Sequence, residues 1–236
     1  QYDQYARNIN DGIGWVDNNS LVMNEFHSLV VDARSIGIQG SDASQSEETR
    51  SVLSDRVNGL IEQSVAILNS TYLGKAIFAG TDTMNEEPFQ YDGSSITYTG
   101  NDGKMSRRIS EGLDVDINIT GNDLIDSGVF DTLVDLRGVL ETNDAAGAAT
   151  LMDDLQIASD NVLAIDAQNG LVKNNMAMTS TRLETATTNI MSFLTEAEDA
   201  DLAEVIMEYN GAEMAYQAAL QITSKALRLN IMDFVR

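Results

Sequence analysis

The stretch "GKAIFAGTDTMNEEPF", from Gly74 to Phe89, carries residue types that could bind a phosphate. Glycines bracket a short apolar run, a Thr-Asp-Thr turn follows, and Pro88 is the only proline among the 236 residues. Backbone N–H groups of a glycine-rich loop can hold a phosphate. However, no lysine follows the glycine–threonine turn and no helix starts there, as a phosphate-binding loop requires. The sequence favours the other interpretation, a corner between two domains.

Two acidic segments could bind a divalent cation. The segment "EAEDADLAE" (Glu196 to Glu204) gathers five carboxylates, although acids at the start of a helix also complement its dipole. The segment "DVDINITGND" (Asp114 to Asp123) begins like a calcium loop, but Ile119 stands where such a loop requires glycine. Its alternating aliphatic residues instead predict a strand with one wet face. A metal-binding enzyme that uses these acidic clusters is the alternative from a different functional class.

Other chemically active residues lack the partners that catalysis or ligand binding needs. His27 is the only histidine, and without a second histidine or a cysteine it cannot anchor a common zinc site, so we predict a packed or half-exposed structural residue. The segment "GIGWVD" (Gly12 to Asp17) lacks the third glycine and the preceding strand of a dinucleotide loop; close helix approach is one reason for its glycines. We expect no enzyme activity, no cofactor and no metal.

Composition excludes several classes of partner. The net charge is -23 with only 14 Lys and Arg residues, whereas nucleic-acid binding needs clustered cations. An anionic membrane would repel the chain, and no apolar run approaches the ~18 residues of a membrane span. The absence of cysteine excludes disulfides and is compatible with an exported protein. A hydrophobic content of 43% is enough for a packed core.

Apolar residues at steps of three and four predict several helices. The first covers roughly residues 2–36 and is expected to end at Gly37 and Gly40. The second is expected to begin at a capping box formed by Ser44 and Glu47. Few residues join these two helices, so they are predicted to be antiparallel neighbours.

The middle of the chain changes to a period of two, which indicates strands. We expect Gly74 to end the second helix and residues 77–78 to begin a buried strand. Asp-Gly dipeptides at 92–93 and 102–103 are typical of hairpin turns, and residues 113–119 alternate between aliphatic and polar. These features predict a small antiparallel meander.

A short helix is predicted over residues 129–142, followed by a very long apolar stripe. From Leu151 to Phe193 the four-three rhythm continues for 43 residues with only two polar members, Asn169 and Thr179. At ~1.5 Å per residue such a helix is about 64 Å long, which exceeds the roughly 45 Å diameter of a compact globule of this size. The sequence therefore predicts an elongated helical rod.

The last 42 residues are predicted to form a separate helix, because the rhythm changes phase at a second capping box that begins at Thr195. A new apolar stripe follows, widened by alanines. Helical stability comes mostly from packing, so this stripe implies a partner. The predicted assembly interface consists of Leu202, Ile206, Tyr209, Tyr216, Leu220, Leu227 and Phe234.

Taken together, these segments resemble the bacterial flagellin family, and within it most closely the subunits at the junction between hook and filament. The segment "QYARNINDGIGWVD" resembles the family's long N-terminal helix, and "NSTYLGKAIFAGTDTMNEEPF" resembles the passage out of the helical domain. The segment "YTGNDGKMSRRISEGLDVDINITGND" resembles the β-rich insert. The segment "EDADLAEVIMEYNGAEMAYQAALQITSKALRLNIMDF" resembles the C-terminal assembly helix. The resemblance is collinear over nearly the whole chain.

The resemblance implies a mainly α fold: an elongated antiparallel helical rod (flagellin-like) with a small antiparallel β-rich insert. The rod would comprise residues 1–80 and 121–194, the insert 81–120 and the assembly helix 195–236. Family members carry further residues before the position of Gln1, so we expect an N-terminal assembly helix to be missing from this sequence.

The function implied by the resemblance is that of a structural subunit of the flagellum that joins hook to filament. It further implies type III export with a chaperone bound before secretion, an extracellular location, self-association into a ring, and contacts with another hook-associated protein and with flagellin. The alternative within the family is the filament subunit itself.

Overall fold

The computed structural model describes the backbone of residues 1–232 and the side chains of residues 1–198 and 204–227. The chain divides into two compact units, Gln1–Thr181 and Arg182–Arg236. The helices are α1 (Tyr2–Ser41), α2 (Glu47–Leu68), α3 (Gly121–Ile125), α4 (Val129–Glu141) and α5 (Ala145–Met232). The strands are β1 (Thr71–Tyr72), β2 (Lys75–Ala76), β3 (Phe89–Tyr91), β4 (Ile96–Tyr98), β5 (Ser106–Ser110) and β6 (Leu113–Asp116). The predicted class, mainly α with a small antiparallel β part, is confirmed.

The first unit is built around a core shared by α1, α2, α4 and the first part of α5. Phe130 on α4 stands at its centre, with ring centroids 5.6 Å from Phe26 of α1 and 6.0 Å from Phe89 of β3. Offset aromatic pairs at this spacing are favourable beyond the area that they bury. The strand β3 is therefore anchored in the helical core.

The helix α1 continues through Gly37 and Gly40, so the prediction that these glycines end it is wrong. A Cβ at Gly37 would lie 2.2 Å from Cε of Met152, and a Cβ at Gly40 would lie 2.2 Å from Cδ2 of Leu140. Because a larger residue would push these side chains away, the glycines serve close packing between helices rather than chain termination.

The boundaries of α2 also differ from the prediction. The N-cap is Ser46, not Ser44, and its Oγ accepts a hydrogen bond from the backbone N–H of Thr49 at 3.2 Å. The helix ends at Leu68, and Gly74 instead lies in the turn between β1 and β2 with φ of 73°. A left-handed φ suits glycine in a tight hairpin turn, which explains the residue without a helix end.

The strands form three separate two-stranded antiparallel ladders, β1–β2, β3–β4 and β5–β6, rather than one meander. The predicted turn at 92–93 is confirmed between β3 and β4. The dipeptide at 102–103 is not a hairpin turn, because β4 and β5 do not pair within the described chain. Ile77 and Phe78 are buried as predicted but lie outside the strands.

The long helix α5 confirms the stripe that begins at Leu151 but not the predicted break. It runs without interruption for 88 residues, and Oγ1 of Thr195 donates to the carbonyl of Met191 at 2.9 Å, as in a helix interior. Alanine, glutamate and leucine, which are good helix formers, make up most of the sequence there. The change of phase therefore changes which side of the helix is apolar and leaves the backbone helical.

Candidate assembly surface

The candidate surface lies on α5 within the second unit. Over residues 204–227 every side chain is exposed to solvent. The predicted interface residues in this range are Ile206, Tyr209, Tyr216, Leu220 and Leu227, exposed by 51%, 69%, 66%, 53% and 60%. We call these five residues the assembly face. The side chain of Leu202 and the whole of Phe234 lie outside the described residues.

Helix geometry brings the five residues of the assembly face together. They follow one another at steps of three, seven, four and seven, which places them on one side of a helix. Val205, beside this stripe, is also mostly exposed, and the small side chains of Ala212 and Ala219 border it on the same side. A broad apolar side that is bordered by small side chains allows another helix to approach closely.

The charge around the assembly face is strongly polarised along the helix. Residues 196–213 contain seven acids and no base, whereas residues 214–232 contain two bases and no acid. A partner helix that packs along this surface would therefore be favoured by basic residues opposite the acidic first part. Acidic residues in the partner would be tolerated opposite the second part. Among the described side chains, no group of three or more acids and histidines is arranged to hold a metal ion.

The calcium-like segment begins in a strand, as predicted, but β6 ends at Asp116 and the last residues of the segment, from Gly121, lie in α3. Asp114 on β6 accepts two hydrogen bonds from Arg108 on β5, at 2.9 and 3.0 Å, and the hydrogen bonds from that guanidinium lower the pKa of its carboxyl. Asp116 accepts a hydrogen bond from Oγ of Ser106 at 2.5 Å. These carboxylates are thus engaged inside the β5–β6 hairpin.

The glycine-rich stretch that resembled a phosphate loop uses its backbone donors internally. The N–H of Ala76 donates to the carbonyl of Thr83 at 2.9 Å, and the N–H of Thr81 donates to Oδ1 of Asn101 at 2.9 Å. A Cβ at Gly80, where φ is 70°, would lie 1.9 Å from the Asn101 carbonyl oxygen. The stretch is therefore a tightly closed connection between α2 and β3.

The single histidine has a structural environment, which confirms that prediction. Nε2 of His27 lies 2.9 Å from Oγ of Ser159 on α5, and the ring is half-buried. Gly12, the first glycine of "GIGWVD", also marks a close approach, because a Cβ there would lie 2.7 Å from Sδ of Met176. Both residues join α1 to α5.

Sequence reasoning missed Arg50, which is 5% exposed on α2. Its guanidinium donates to the carbonyls of Gly40 at 2.8 Å and Asp42 at 2.7 Å, and to Oδ1 of Asn143 in the turn between α4 and α5. It thus satisfies carbonyls at the end of α1 that the helix leaves without partners. A basic residue shortly after a helix end is a readable signal, but only once that end is placed at Ser41.

Comparisons with known proteins point first to a class of fold. Residues 151–235 match the sequence model of the bacterial flagellin C-terminal helical region. The chain is 21% identical over 227 residues to a flagellin of Halalkalibacterium halodurans, which covers 95% of this chain and 74% of that protein. Among the described residues, none of the helices combines the length and apolar character that crossing a membrane requires.

Solved structures show which proteins of that class have a similar fold. The fold is similar to that of flagellar hook associated protein-3 from Legionella pneumophila, with a TM-score of 0.75 at 12% identity over 84% of this chain and 96% of that one. Flagellin from Bacillus cereus is similar with a TM-score of 0.54 at 14% identity over 79% of this chain and 94% of that one. The chain therefore has the fold of a flagellar hook-associated protein, and the resemblance stated from the sequence is confirmed.

Proposed function

We propose that this chain is a structural subunit of the bacterial flagellum that joins the hook to the filament. The observation that carries the proposal is the exposed assembly face on a chain with the fold of hook-associated protein-3. In this function, the protein acts by helix packing and mechanical stiffness rather than by catalysis.

The assembly face supplies the driving force for association. Removing a large apolar side chain from water contributes about 1.5–3 kcal/mol, and the five residues of the assembly face are each more than half exposed. Monomeric proteins rarely leave so contiguous an apolar stripe uncovered. The first unit has its own closed core, so burying this stripe is not needed to fold it.

The register of α1 and α5 in the first unit suggests one partner for the α5 stripe. Gly12 lies against Met176 and Gly37 lies against Met152, so the two helices run antiparallel. Ile190 and Phe193 keep the same rhythm but are 49% and 70% exposed. The partner that we propose for this stripe is the N-terminal assembly helix that the resemblance to the flagellin family implies.

The remaining parts of the proposal rest on the resemblance to the flagellin family. The subunit would be exported through the type III channel with a chaperone, and would function outside the cell. Copies would form a ring that contacts another hook-associated protein on one side and flagellin on the other. Residues 1–80 and 121–194 would form the rod, 81–120 the insert and 195–236 the assembly helix.

Truncating the assembly face tests this proposal. Leu220→Ala combined with Leu227→Ala, in the intact protein expressed in cells that lack it, should abolish filament growth while urea unfolding of the purified chain stays unchanged. Leu21→Ala is the matched control, because Leu21 is 58% exposed on α1. Normal swimming with the double variant would contradict the proposal.

The second candidate is flagellin, the filament subunit. The match of residues 151–235 to the flagellin C-terminal region and the sequence similarity to a flagellin favour it. The structural similarity is higher to hook associated protein-3 than to the flagellin of Bacillus cereus, with TM-scores of 0.75 and 0.54. We therefore place the junction role first.

A further inference from the structure

The turn between β1 and β2 has two unfavourable features at one residue. Tyr72 pairs with Lys75, so the turn consists of Leu73 and Gly74 alone. Leu73 has a left-handed φ of 52°, which strains the backbone of a leucine, whereas asparagine, aspartate or glycine is usual in such turns. Its side chain is 83% exposed, more than any other large apolar side chain that the structure describes. A strained backbone that presents an exposed apolar side chain is typical of contact residues.

The base of this hairpin is fixed while its turn projects into solvent. The ring of Tyr72 meets that of Trp15 on α1 edge-on, with centroids 5.8 Å apart, and a Cβ at Gly14 would lie 2.6 Å from Oη of Tyr72. Lys75, beside the turn, is exposed, and no carboxylate in the described part of the chain forms an ion pair with it. We call Leu73 and Lys75 the hairpin tip, which presents one apolar and one basic group in a fixed orientation.

The same end of the first unit has a hollow of about 490 Å³ between α2 and β3. Val65, Phe89 and Tyr91 contribute apolar atoms to its lining. Glu62 and Glu87, whose side chains are exposed, line it as well. We call it the acidic hollow. An apolar lining beside two carboxylates is complementary to an apolar side chain that has a base next to it.

The acidic hollow is formed before anything binds to it. Nδ2 of Asn69, the C-cap of α2, donates to the carbonyl of Phe89 at 2.8 Å, and the N–H of Phe89 donates back to Oδ1 of Asn69 at 2.9 Å. Oη of Tyr91 donates to Oδ1 of Asn58 on α2 at 2.8 Å. These bonds hold β3 against α2, so the hollow can be filled without the cost of ordering its walls.

We propose that the hairpin tip of one copy binds in the acidic hollow of the next copy. Leu73 enters the apolar part of the hollow, and Lys75 pairs with Glu62 or Glu87. The inference rests on the proposed function, because it supplies the contact between neighbours in the ring. Since the tip and the hollow are different surfaces, each copy has one of each, and the contact continues from copy to copy as a ring requires.

Charge and position favour a second copy as the occupant. Two chains of net charge -23 repel each other wherever acidic surfaces meet, whereas this contact places one of only 14 bases against two carboxylates. Asn69 lines the hollow and Thr71 begins the hairpin, so neighbouring copies meet at the same level along the helices. The contact is small and acts together with association through α5 rather than alone.

Leu73→Asn separates the contact from the fold. Asparagine tolerates a left-handed φ better than leucine does, so the purified variant should keep or raise the wild-type Tm. In cells that lack the protein, the variant should restore filaments on less than a tenth as many cells as the wild-type gene does. Leu21→Gln, at a position that is 58% exposed on α1, should change neither result. A lowered Tm, which would mean that Leu73 serves the fold, or normal filament numbers would overturn the proposal.

Charge reversal tests the ion pair. Lys75→Glu should reduce the number of filaments at least tenfold, because a third carboxylate then meets Glu62 and Glu87. Adding Glu62→Lys and Glu87→Lys to the same chain should restore at least half of the wild-type number. Arg56→Glu, at an exposed position on α2, is the control and should have no effect. Normal filaments with Lys75→Glu, or no restoration in the triple variant, would contradict the pairing.

Introduced thiols identify the occupant, because the chain contains no cysteine. Thr71, next to the tip, and Gln90, in the lining of the hollow, are exposed, and replacing them leaves the contact residues in place. In isolated flagella, the double variant Thr71→Cys and Gln90→Cys should give a ladder of covalent multimers with a short thiol crosslinker, and each single variant should give none.

Three results of the crosslinking would overturn the proposal. They are links from Thr71→Cys to a different protein, self-linking of Thr71→Cys alone, and no links from the double variant in normal filaments. None of them alters the junction role, which is read from deletion of the gene.

Discussion

Asn19 and Asn169 lie side by side in the buried contact between α1 and α5. Nδ2 of Asn19 donates to Oδ1 of Asn169 at 3.2 Å, and Nδ2 of Asn169 donates to the carbonyl of Val16 at 2.8 Å. Both side chains are buried. Apolar stripes that repeat every seven residues tolerate a shift of seven, but a shift would leave these amides unpaired. The pair therefore favours one register.

Replacing one member of the pair should destabilise the first unit. Asn169→Leu removes the partner of Asn19 and the donor to the Val16 carbonyl, both inside the core, so we expect a loss of about 1–3 kcal/mol in the free energy of unfolding. Urea denaturation measures it. Asn174→Leu, at an exposed asparagine of the same helix, should change this free energy by less than about 0.5 kcal/mol. Equal effects of the two changes would refute the assigned role.

Two glycine-to-alanine changes should have opposite signs. At Gly12 a Cβ would lie 2.7 Å from the sulfur of fully buried Met176, so Gly12→Ala should destabilise by about 1–3 kcal/mol. At Gly59, in the middle of α2, a Cβ would meet nothing within 4 Å. There the better helix propensity of alanine should stabilise by up to about 1 kcal/mol. Thermal unfolding of both variants checks the contrast; a gain at Gly12 would contradict the close packing.

Arg50 should contribute more than an exposed arginine of the same helix. Arg50→Met leaves the Gly40 and Asp42 carbonyls and the Asn143 side chain without their donor, and we expect a loss of about 2–4 kcal/mol. Arg56→Met, at an exposed position on α2, should change stability by less than about 0.5 kcal/mol. Urea midpoints of the two variants decide the matter, and similar midpoints would mean that the Arg50 bonds contribute little.

The β3–β4 turn should respond to acid at Asp92. Backbone N–H donation from Ser95, with further hydrogen bonds from Ser94, lowers the pKa of the Asp92 carboxyl to about 2. Because the folded-state pKa is below the unfolded-state value, the stabilisation is present above pH ~4 and is lost as the pH falls towards 2. Carboxyl titration by NMR should show Asp92 titrating near 2, with the amide protons of Ser94 and Ser95 shifting together. Titration near the usual value would show that these bonds do not form.

Periodicity predicted the elements of this fold better than it predicted their ends. The stripe from Leu151 was read correctly as far as Leu183, where burial and helical spacing agree, whereas Ile190 and Phe193 keep the spacing but are exposed. Gly37 and Gly40 were misread because glycine serves both as a helix end and as a site of close packing, and only the facing side chains distinguish the two. The break predicted at Thr195 failed for a similar reason, since a change of apolar side does not require a change of backbone.

The candidate surface was predictable and the internal polar contacts were not. The spacing of Ile206, Tyr209 and Leu220 identifies one side of a helix, and their exposure follows because no described residue covers them. Arg50 and Asn19, by contrast, depend on which carbonyl or amide lies opposite in space. That information is tertiary, so no local pattern contains it.

The junction role itself is tested most directly by deleting the gene in the bacterium that encodes this chain and assaying both flagella and culture medium. We predict bare hooks on the cells together with unpolymerised flagellin in the medium, restored to normal filaments by the wild-type gene. A missing filament without secreted flagellin would indicate the filament subunit instead. Normal filaments on the deletion strain would contradict the account.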